Sequence, residues 1–240
     1  MTIGEFTRQL WDELAKTNPD STYIHAEVRG ETVLTNHGRH YGNGAPAFKP
    51  CELVAIAEGE QNQTPLLLIG VRAKICLACP QAQAVIRWMN TKSLLTSFTE
   101  EQVQQILETV SLPTHNQLAE GEILIQVPAG EEVRHLSLEL LAILEEAASS
   151  PTYEYLKRHD EGICVNSLHW KPRFVEDVIR ESMARVAREF LNWPDELSVR
   201  MGVTNFESTF EYVLDAHTTI ALGEIKRLST FSSPEAIERG

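Results

Sequence analysis

The sequence predicts an α+β fold of antiparallel strands and long helices, and three observations carry this. Residues 64–78, TPLLLIGVRAKICLA, are nearly continuously apolar and read as a strand buried on both faces. Residues 172–191 place Phe174, Val175, Val178, Ile179, Met183, Val186, Ala187 and Phe190 at helical spacing, the longest such run in the chain. Around these two segments, strands and helices do not alternate in the regular way that a βαβ parallel sheet requires.

The elements follow in order. Ile3, Phe6, Leu10, Trp11 and Leu14 share a helical face, so residues 3–16 form a helix that Asn18-Pro19-Asp20 ends. TYIHAEVRG alternates and is rich in β-branched residues, as a strand is. TNHGRHYGNGAPAF packs three Gly, two His and a Pro into a short span and reads as a loop, a candidate phosphate cradle through its backbone N–H groups. Residues 52–58 form a short strand and residues 61–64 a turn. After Pro80 the pattern becomes helical, with Ala84, Val85, Trp88 and Met89 on one face. Thr99 and Gln102 make a capping-box signature for a helix over about 100–110. EGEILIQVP is a strand, and Leu136, Leu140, Leu141 and Leu144 mark a helix over roughly 133–148. Residues 152–158 read as a further helical turn. Pro172 suits the first turn of the long helix. LSVRMGVTNF and TTIALGEIKRL read as the closing strands, and residues 231–240 as a frayed tail. No linker marks a domain boundary, so residues 1–240 are read as one domain.

Bulk properties narrow the function classes. The chain has 240 residues, 42% of them apolar and 23% charged, as in a globular protein. No apolar run approaches the ~20 residues that cross a bilayer. The first residues lack the basic start and cleavage site of a signal peptide, so a cytoplasmic location is expected. The net charge of −13, from 34 acids against 21 Lys and Arg, argues against nucleic acid and anionic membrane as partners. A small phosphorylated ligand remains compatible, because a few local basic side chains suffice for it.

The four cysteines are Cys51, Cys76, Cys79 and Cys164. Cys76 and Cys79 form a CxxC followed by Pro80 at a strand-to-helix junction, the form of a thiol oxidoreductase motif. A four-cysteine zinc site needs two close pairs, and Cys51 and Cys164 stand alone. A third reading joins one cysteine to residues further along. A cysteine, a histidine and a carboxylate can hold a metal with a position left open for water. Eight histidines and 34 acids are available, so spacing alone does not select the set. For each residue a plain reading competes. Cys79 can be a buried helix-start thiol and Cys76 a core residue. His115 can be an ordinary loop histidine, Glu161 part of a surface charge cluster, and Glu176 the partner of Arg180 on an exposed helix face.

Five ordered segments then select among these. They are Cys79-Pro80-Gln81-Ala82-Gln83, His115-Asn116-Gln117, Lys157-Arg158-His159-Asp160-Glu161, Pro172-Arg173-Phe174-Val175-Glu176-Asp177 and Asn205-Phe206-Glu207-Ser208. In this order they resemble the motifs of the type IB GTP cyclohydrolases and their archaeal counterparts. The resemblance covers roughly residues 65–222, and the first ~60 residues match the pattern poorly. It implies a tunnelling fold, with antiparallel sheets and long helices packed on one face. It also implies homo-oligomers with active sites at subunit interfaces, residues 1–75 and 76–230 being possible fused halves. It implies Cys79, His115 and Glu161 as ligands of a divalent metal (Mn, Fe or Zn), with Cys79, His115 and Glu207 catalytic. Glu176 is implied as the purine anchor, since a carboxylate can accept two hydrogen bonds from a guanine-like N–H edge. The substrate implied is GTP or a related purine or pterin. Water attacks C8, the imidazole ring opens, and formate leaves on the way to a dihydroneopterin-type product.

Departures from the pattern point to a diverged member. The second family cysteine is replaced by Gln81, and Leu118 stands where the family has Arg. The family's proton-transfer histidine is replaced by Phe210. A general acid or base contributes ~10²–10⁴-fold in rate, so another group must substitute if the reaction is kept. His159, His217, and His37 with His40 are the candidates. A diverged enzyme, or a binding protein for another purine-like or pterin-like heterocycle, is therefore the alternative.

Overall fold

A computed structural model describes residues 2–41, 45–128, 135–153 and 156–231, with the backbone alone for 35–41, 45–48, 230 and 231. Among the described residues it is an α+β structure with a seven-stranded antiparallel sheet. The strands are β1 (Tyr23–Tyr41), β2 (Ala45–Glu60), β3 (Leu66–Ala78), β4 (Asn116–Gln126), β5 (Ser150–Pro151), β6 (Ser198–Phe206) and β7 (Val213–Ala221). The order is β1-β2-β3-β4-β6-β7, and the two-residue β5 pairs with β3. The helices are α1 (Ile3–Thr17), α2 (Pro80–Leu94), α3 (Glu100–Thr109), α4 (Leu136–Ala147), α5 (Arg158–Trp170), α6 (Val175–Glu189) and α7 (Leu222–Phe231).

Strand alternation divides the sheet into two unlike faces. On β3 the odd-numbered Leu67, Ile69, Val71, Ala73, Ile75 and Leu77 join the main core, with Trp11 of α1, Leu140 and Leu144 of α4, Val178 and Val186 of α6, and Ile225 of α7. The even-numbered Leu68 belongs instead to a small cluster with Val54, Ile56 and Leu124. Beyond it the even face turns ionic. Arg72 pairs with Glu122 at 2.9 Å, and Arg29 with Glu52 at 2.9 Å. Gly70 sits where β3 and β4 approach too closely for a side chain, since an added Cβ would lie 1.9 Å from the Ile123 carbonyl oxygen.

Local signals worked where they were self-contained. Thr2 and Glu5 form a capping box at α1, and Thr99 and Gln102 form one at α3. Elsewhere tertiary context overrode them. The glycine-rich stretch expected as a loop is strand in its described part. Residues as far as Tyr41 and from Ala45 on pair across β1 and β2, with a shift in register between Asn36 and His40. The side chains of His37 and His40, and residues 42–44, lie outside the described residues. The helical turn expected at 152–158 is absent at 152, 153, 156 and 157, and a helix follows that periodicity did not show, α5. The long helix begins at Val175 with Phe174 as its N-cap, so Pro172 precedes it. TTIALGEIKRL is a strand only to Ala221, then helix α7. The apolar face of α2 is not core: Val85, Trp88 and Met89 are all more than half exposed. Residues 232–240 lie outside the described residues.

Candidate active site

β3, β4 and β6 end beside one another, and the residues just past those ends make a pocket of about 100 Å³. Cys79, Gln81, His115, Gln117, Arg173, Glu207 and Phe210 are among its lining residues. Cys79 is the N-cap of α2, with Pro80 at the first helical position. Its sulfur accepts from the Ala82 amide at 3.4 Å and so faces the positive end of the helix. Its backbone N–H donates to the His115 carbonyl at 3.2 Å, and Thr114 Oγ1 donates to the Cys79 carbonyl at 3.0 Å. These bonds continue the β3–β4 ladder, in which Ala78 faces Asn116. The two residues 36 positions apart in sequence are thereby fixed side by side.

The floor is a polar network. Gln117 and Asn205 are buried, and both direct side-chain amides at Glu207. Asn205 Nδ2 donates to Glu207 Oε1 at 2.8 Å, and Gln117 Nε2 donates to the other carboxylate oxygen. Gln117 Nε2 also lies 3.1 Å from His115 Nδ1. Because Glu207 requires a donor from Gln117, that nitrogen is assigned as the amide NH₂, and His115 Nδ1 acts as acceptor from it. Ser208 Oγ stands 3.4 Å from the same ring nitrogen. Neither Gln117 nor Asn205 was singled out from sequence as a site residue, although both lie inside the quoted motifs. Their signal was position: each falls on the core-facing side of its strand, where a polar residue needs a reason to be buried.

The remaining candidates are not brought to this pocket. Glu161 is exposed in the first turn of α5 and does not line the pocket. Among the described residues, no three His, Cys, Asp or Glu side chains stand close enough together to hold a metal ion. Glu176 is likewise exposed in the first turn of α6 and does not line the pocket. Its expected partner Arg180 instead pairs with Asp177 at 2.6 Å. Burial alone would raise the Asp177 carboxyl, but the Phe174 N–H and Arg180 bonded to it hold it below its ordinary value. Of the histidines suggested as substitutes for Phe210, His159 is exposed, and His217 sits on β7 beside Asp215 at 3.3 Å. Neither lines the pocket. Phe210 does, stacked on Tyr212 with ring centroids 5.3 Å apart.

The CxxC is not a structural pair. Cys76 is an even-numbered β3 residue and faces away from the core, opposite Ser150 in the ladder. Ser150 Oγ is 3.3 Å from Cys164 Sγ, so the thiol environment of Cys76 is shared with Cys164. Burial pushes the Cys76 thiol up, and the neighbouring Cys164 adds to the shift.

The model of a family described as "Type I GTP cyclohydrolase folE2" matches residues 2–215. The chain belongs to this family. The match includes the first 60 residues, where the motifs alone had shown little resemblance. Several relatives carry the name GTP cyclohydrolase MptA. The one from Methanobrevibacter smithii is 35% identical over 158 residues, covering 66% of this chain and 50% of the relative. The Methanococcus aeolicus protein is 35% identical over 181 residues, 73% of this chain and 58% of the relative. The Methanosarcina mazei protein is 36% identical over 162 residues, 67% of this chain and 50% of the relative. The chain spans about half the length of the curated relatives it matches. No helix among the described residues is long and apolar enough to cross a membrane.

Proposed function

We propose that this chain is a GTP cyclohydrolase acting through the pocket at the ends of β3, β4 and β6. The observation that carries the reading is the meeting of Cys79, His115 and Glu207 around one pocket, from three motifs spread over more than a hundred residues. The reaction is hydrolytic opening of the guanine imidazole ring at C8 with release of formate, toward a dihydroneopterin-type product. In this reading Glu207 manages protons, held in place by the Asn205 and Gln117 amides. Glu176 belongs to the rim of a larger substrate site, as the purine anchor. The tunnelling fold and a homo-oligomer with interface sites belong to the same proposal. In their favour, β7 ends the described sheet next to the pocket and exposes Val213 and Leu214, with Tyr212 exposed just before it.

A divalent metal (Mn, Fe or Zn) is also proposed, with Cys79 and His115 as the residues that would hold it. Such a metal supplies a more acidic water. Glu161, the third implied ligand, stands away from the pocket, so the residues as placed do not complete the set, and no step is derived through the metal. Metal analysis of purified protein tests this. Near-stoichiometric metal lost in Cys79→Ala but kept in Cys76→Ala supports it, and equal retention by both variants overturns it.

The test of the function is incubation with GTP and measurement of formate and of pteridine absorbance. Stoichiometric formate supports the reading. Phe210 at the pocket wall favours one second reading, a binding protein for a purine or pterin. Tight GTP binding with no formate selects that reading.

A further inference from the structure

Cys76 and Cys79 are neighbours in sequence, and the fold gives Cys76 a different partner. Cys79 lies past the end of β3, with its sulfur on the Ala82 amide, and it lines the pocket together with Leu77. Cys76 is on the opposite face of β3 from Leu77. The residue directly opposite Cys76 in the ladder is Ser150 of β5. Opposed residues of an antiparallel pair point to the same side of the sheet, with Cβ atoms ~4.5–5.5 Å apart. Ser150 Oγ in turn stands 3.3 Å from Cys164 Sγ. One serine side chain therefore neighbours both thiols.

Helix α5 brings Cys164 to this place. It packs on β3 and β5. Asp160, Cys164 and Leu168 follow at intervals of four and share one face of the helix, and Asp160 and Leu168 are its buried residues. Cys164 is thus the middle of the face that meets the sheet. Cys76 and Cys164 are both free thiols, and both are half-buried, so a small reagent can reach them. They are near enough for Cys164 to act electrostatically on Cys76. With so little apolar surface buried, α5 belongs to the parts of a fold that open locally at low cost. A small shift of this helix brings the two Cβ atoms toward the ~3.8 Å that a disulfide needs.

We propose that Cys76 and Cys164 are a redox modification site, forming a reversible disulfide that ties α5 to β3. The oxidant is a small disulfide such as oxidised glutathione. Burial raises the Cys76 thiol, so the Cys164 thiolate attacks first. A Cys164–glutathione bond forms, the glutathione S–S bond breaks, and one glutathione thiolate leaves. The Cys76 thiolate then attacks the Cys164 sulfur, the Cys76–Cys164 bond forms, and the second glutathione leaves. The protein gives up two electrons, and its two thiol protons go to the two glutathione thiolates. The bond closes on a helix whose far end already touches the candidate site. His169 Nε2 lies 3.1 Å from the Thr114 carbonyl, and Gln83 Nε2 donates to the His169 carbonyl at 2.7 Å. Oxidation adds a covalent tie at the middle of α5 to these contacts beside His115 and Cys79.

The experiment treats the folded full chain with oxidised glutathione and maps the peptides under non-reducing conditions. The expected result is a peptide pair linked through Cys76 and Cys164, reversed by dithiothreitol, with free thiols falling from four to two. Cys79→Ser should form the same link, and Cys76→Ser and Cys164→Ser should not. Oxidised wild type should show a raised denaturation midpoint and slower amide exchange over residues 158–170, and neither change should appear in Cys164→Ser. Midpoints of the reduced variants check folding, and Cys164→Ser serves if Cys76→Ser does not fold. A Cys76–Cys79 link, glutathione left on Cys164 without a crosslink, no reaction at either cysteine, or a Cys76–Cys164 link that forms only in urea would each overturn the assignment.

Discussion

Two cations meet the protein interior in opposite ways. Lys49 is 3% exposed, and its ammonium is surrounded by acceptors: the Lys74 carbonyl at 2.5 Å, Thr152 Oγ1 at 2.7 Å and Glu145 at 3.4 Å. An ammonium has three protons to donate, and here all three have somewhere to go. Burial lowers the Lys49 pKa, and Glu145 works against that shift. Arg173, half-buried at the pocket, leaves its Nε without a partner. The difference separates an ammonium whose protons all have acceptors from a guanidinium that leaves one buried nitrogen without any. A satisfied buried ion pair ties elements together, here β2 to α4. An unsatisfied buried donor works against stability.

This contrast can be broken by mutation. The largest stability effect is expected from Glu145→Ala, which strands the Lys49 charge and should cost ~3–5 kcal/mol in urea unfolding. The paired change Lys49→Met with Glu145→Leu removes both charges and should recover most of that loss, because an apolar pair of similar volume is often neutral or better. Loss equal to the sum of the single variants would show that Lys49 and Glu145 do not act as a pair. Arg173→Lys removes the unpartnered Nε donor and should keep or raise the denaturation midpoint. A fall of more than about 1 kcal/mol would make Arg173 a structural residue.

The smallest effect concerns pH. Lys171 is lowered to about 8, first by burial and then by Arg173 and Arg185 nearby. Between this value and the ordinary lysine range the unfolded chain holds more protons than the native one, so this group makes stability rise with pH. Cys51, raised to about 11 by burial, acts with the opposite sign over an overlapping range. The difference between wild type and Lys171→Met isolates the lysine. The variant should lack part of the rise between pH 8 and 10, and identical pH profiles would remove Lys171 as the source.

Much of the fold was legible because its signals are local. A capping box is read within four residues, as at Thr99 and Gln102, and a doubly buried strand within a dozen, as in β3. The failures were non-local. Residues 36–41 look like a loop by composition, yet Asn36, His40 and Tyr41 pair with β2, because a ladder of backbone hydrogen bonds does not need favourable side chains. Helix α5 carries no apolar stripe, with Asp160 and Leu168 its buried residues, so periodicity had nothing to detect. Val85, Trp88 and Met89 share a face of α2 as the pattern states, and that face is exposed, since a pattern states which residues share a face and not what lies opposite.

The candidate site shows the same division. The motif order alone picked out Cys79, His115 and Glu207, and the structure places all three on one pocket. It also picked out Glu161 and Glu176, which the structure leaves on exposed helix turns. Gln117, Asn205 and Arg173 emerged only in three dimensions, because their roles lie in what their side-chain atoms bond to or fail to bond to. The sequence by itself determined the α+β class, the family motifs and the shift in emphasis from a Cys76–Cys79 pair to Cys79 alone. Only the tertiary structure decided that Cys76 lies on the face of β3 away from the core while Cys79 lines the pocket, and that Gln117 and Asn205 meet at Glu207. The physical reason is that strand alternation and hydrogen-bond satisfaction are properties of residues distant in the chain, and they exist only once the strands are paired.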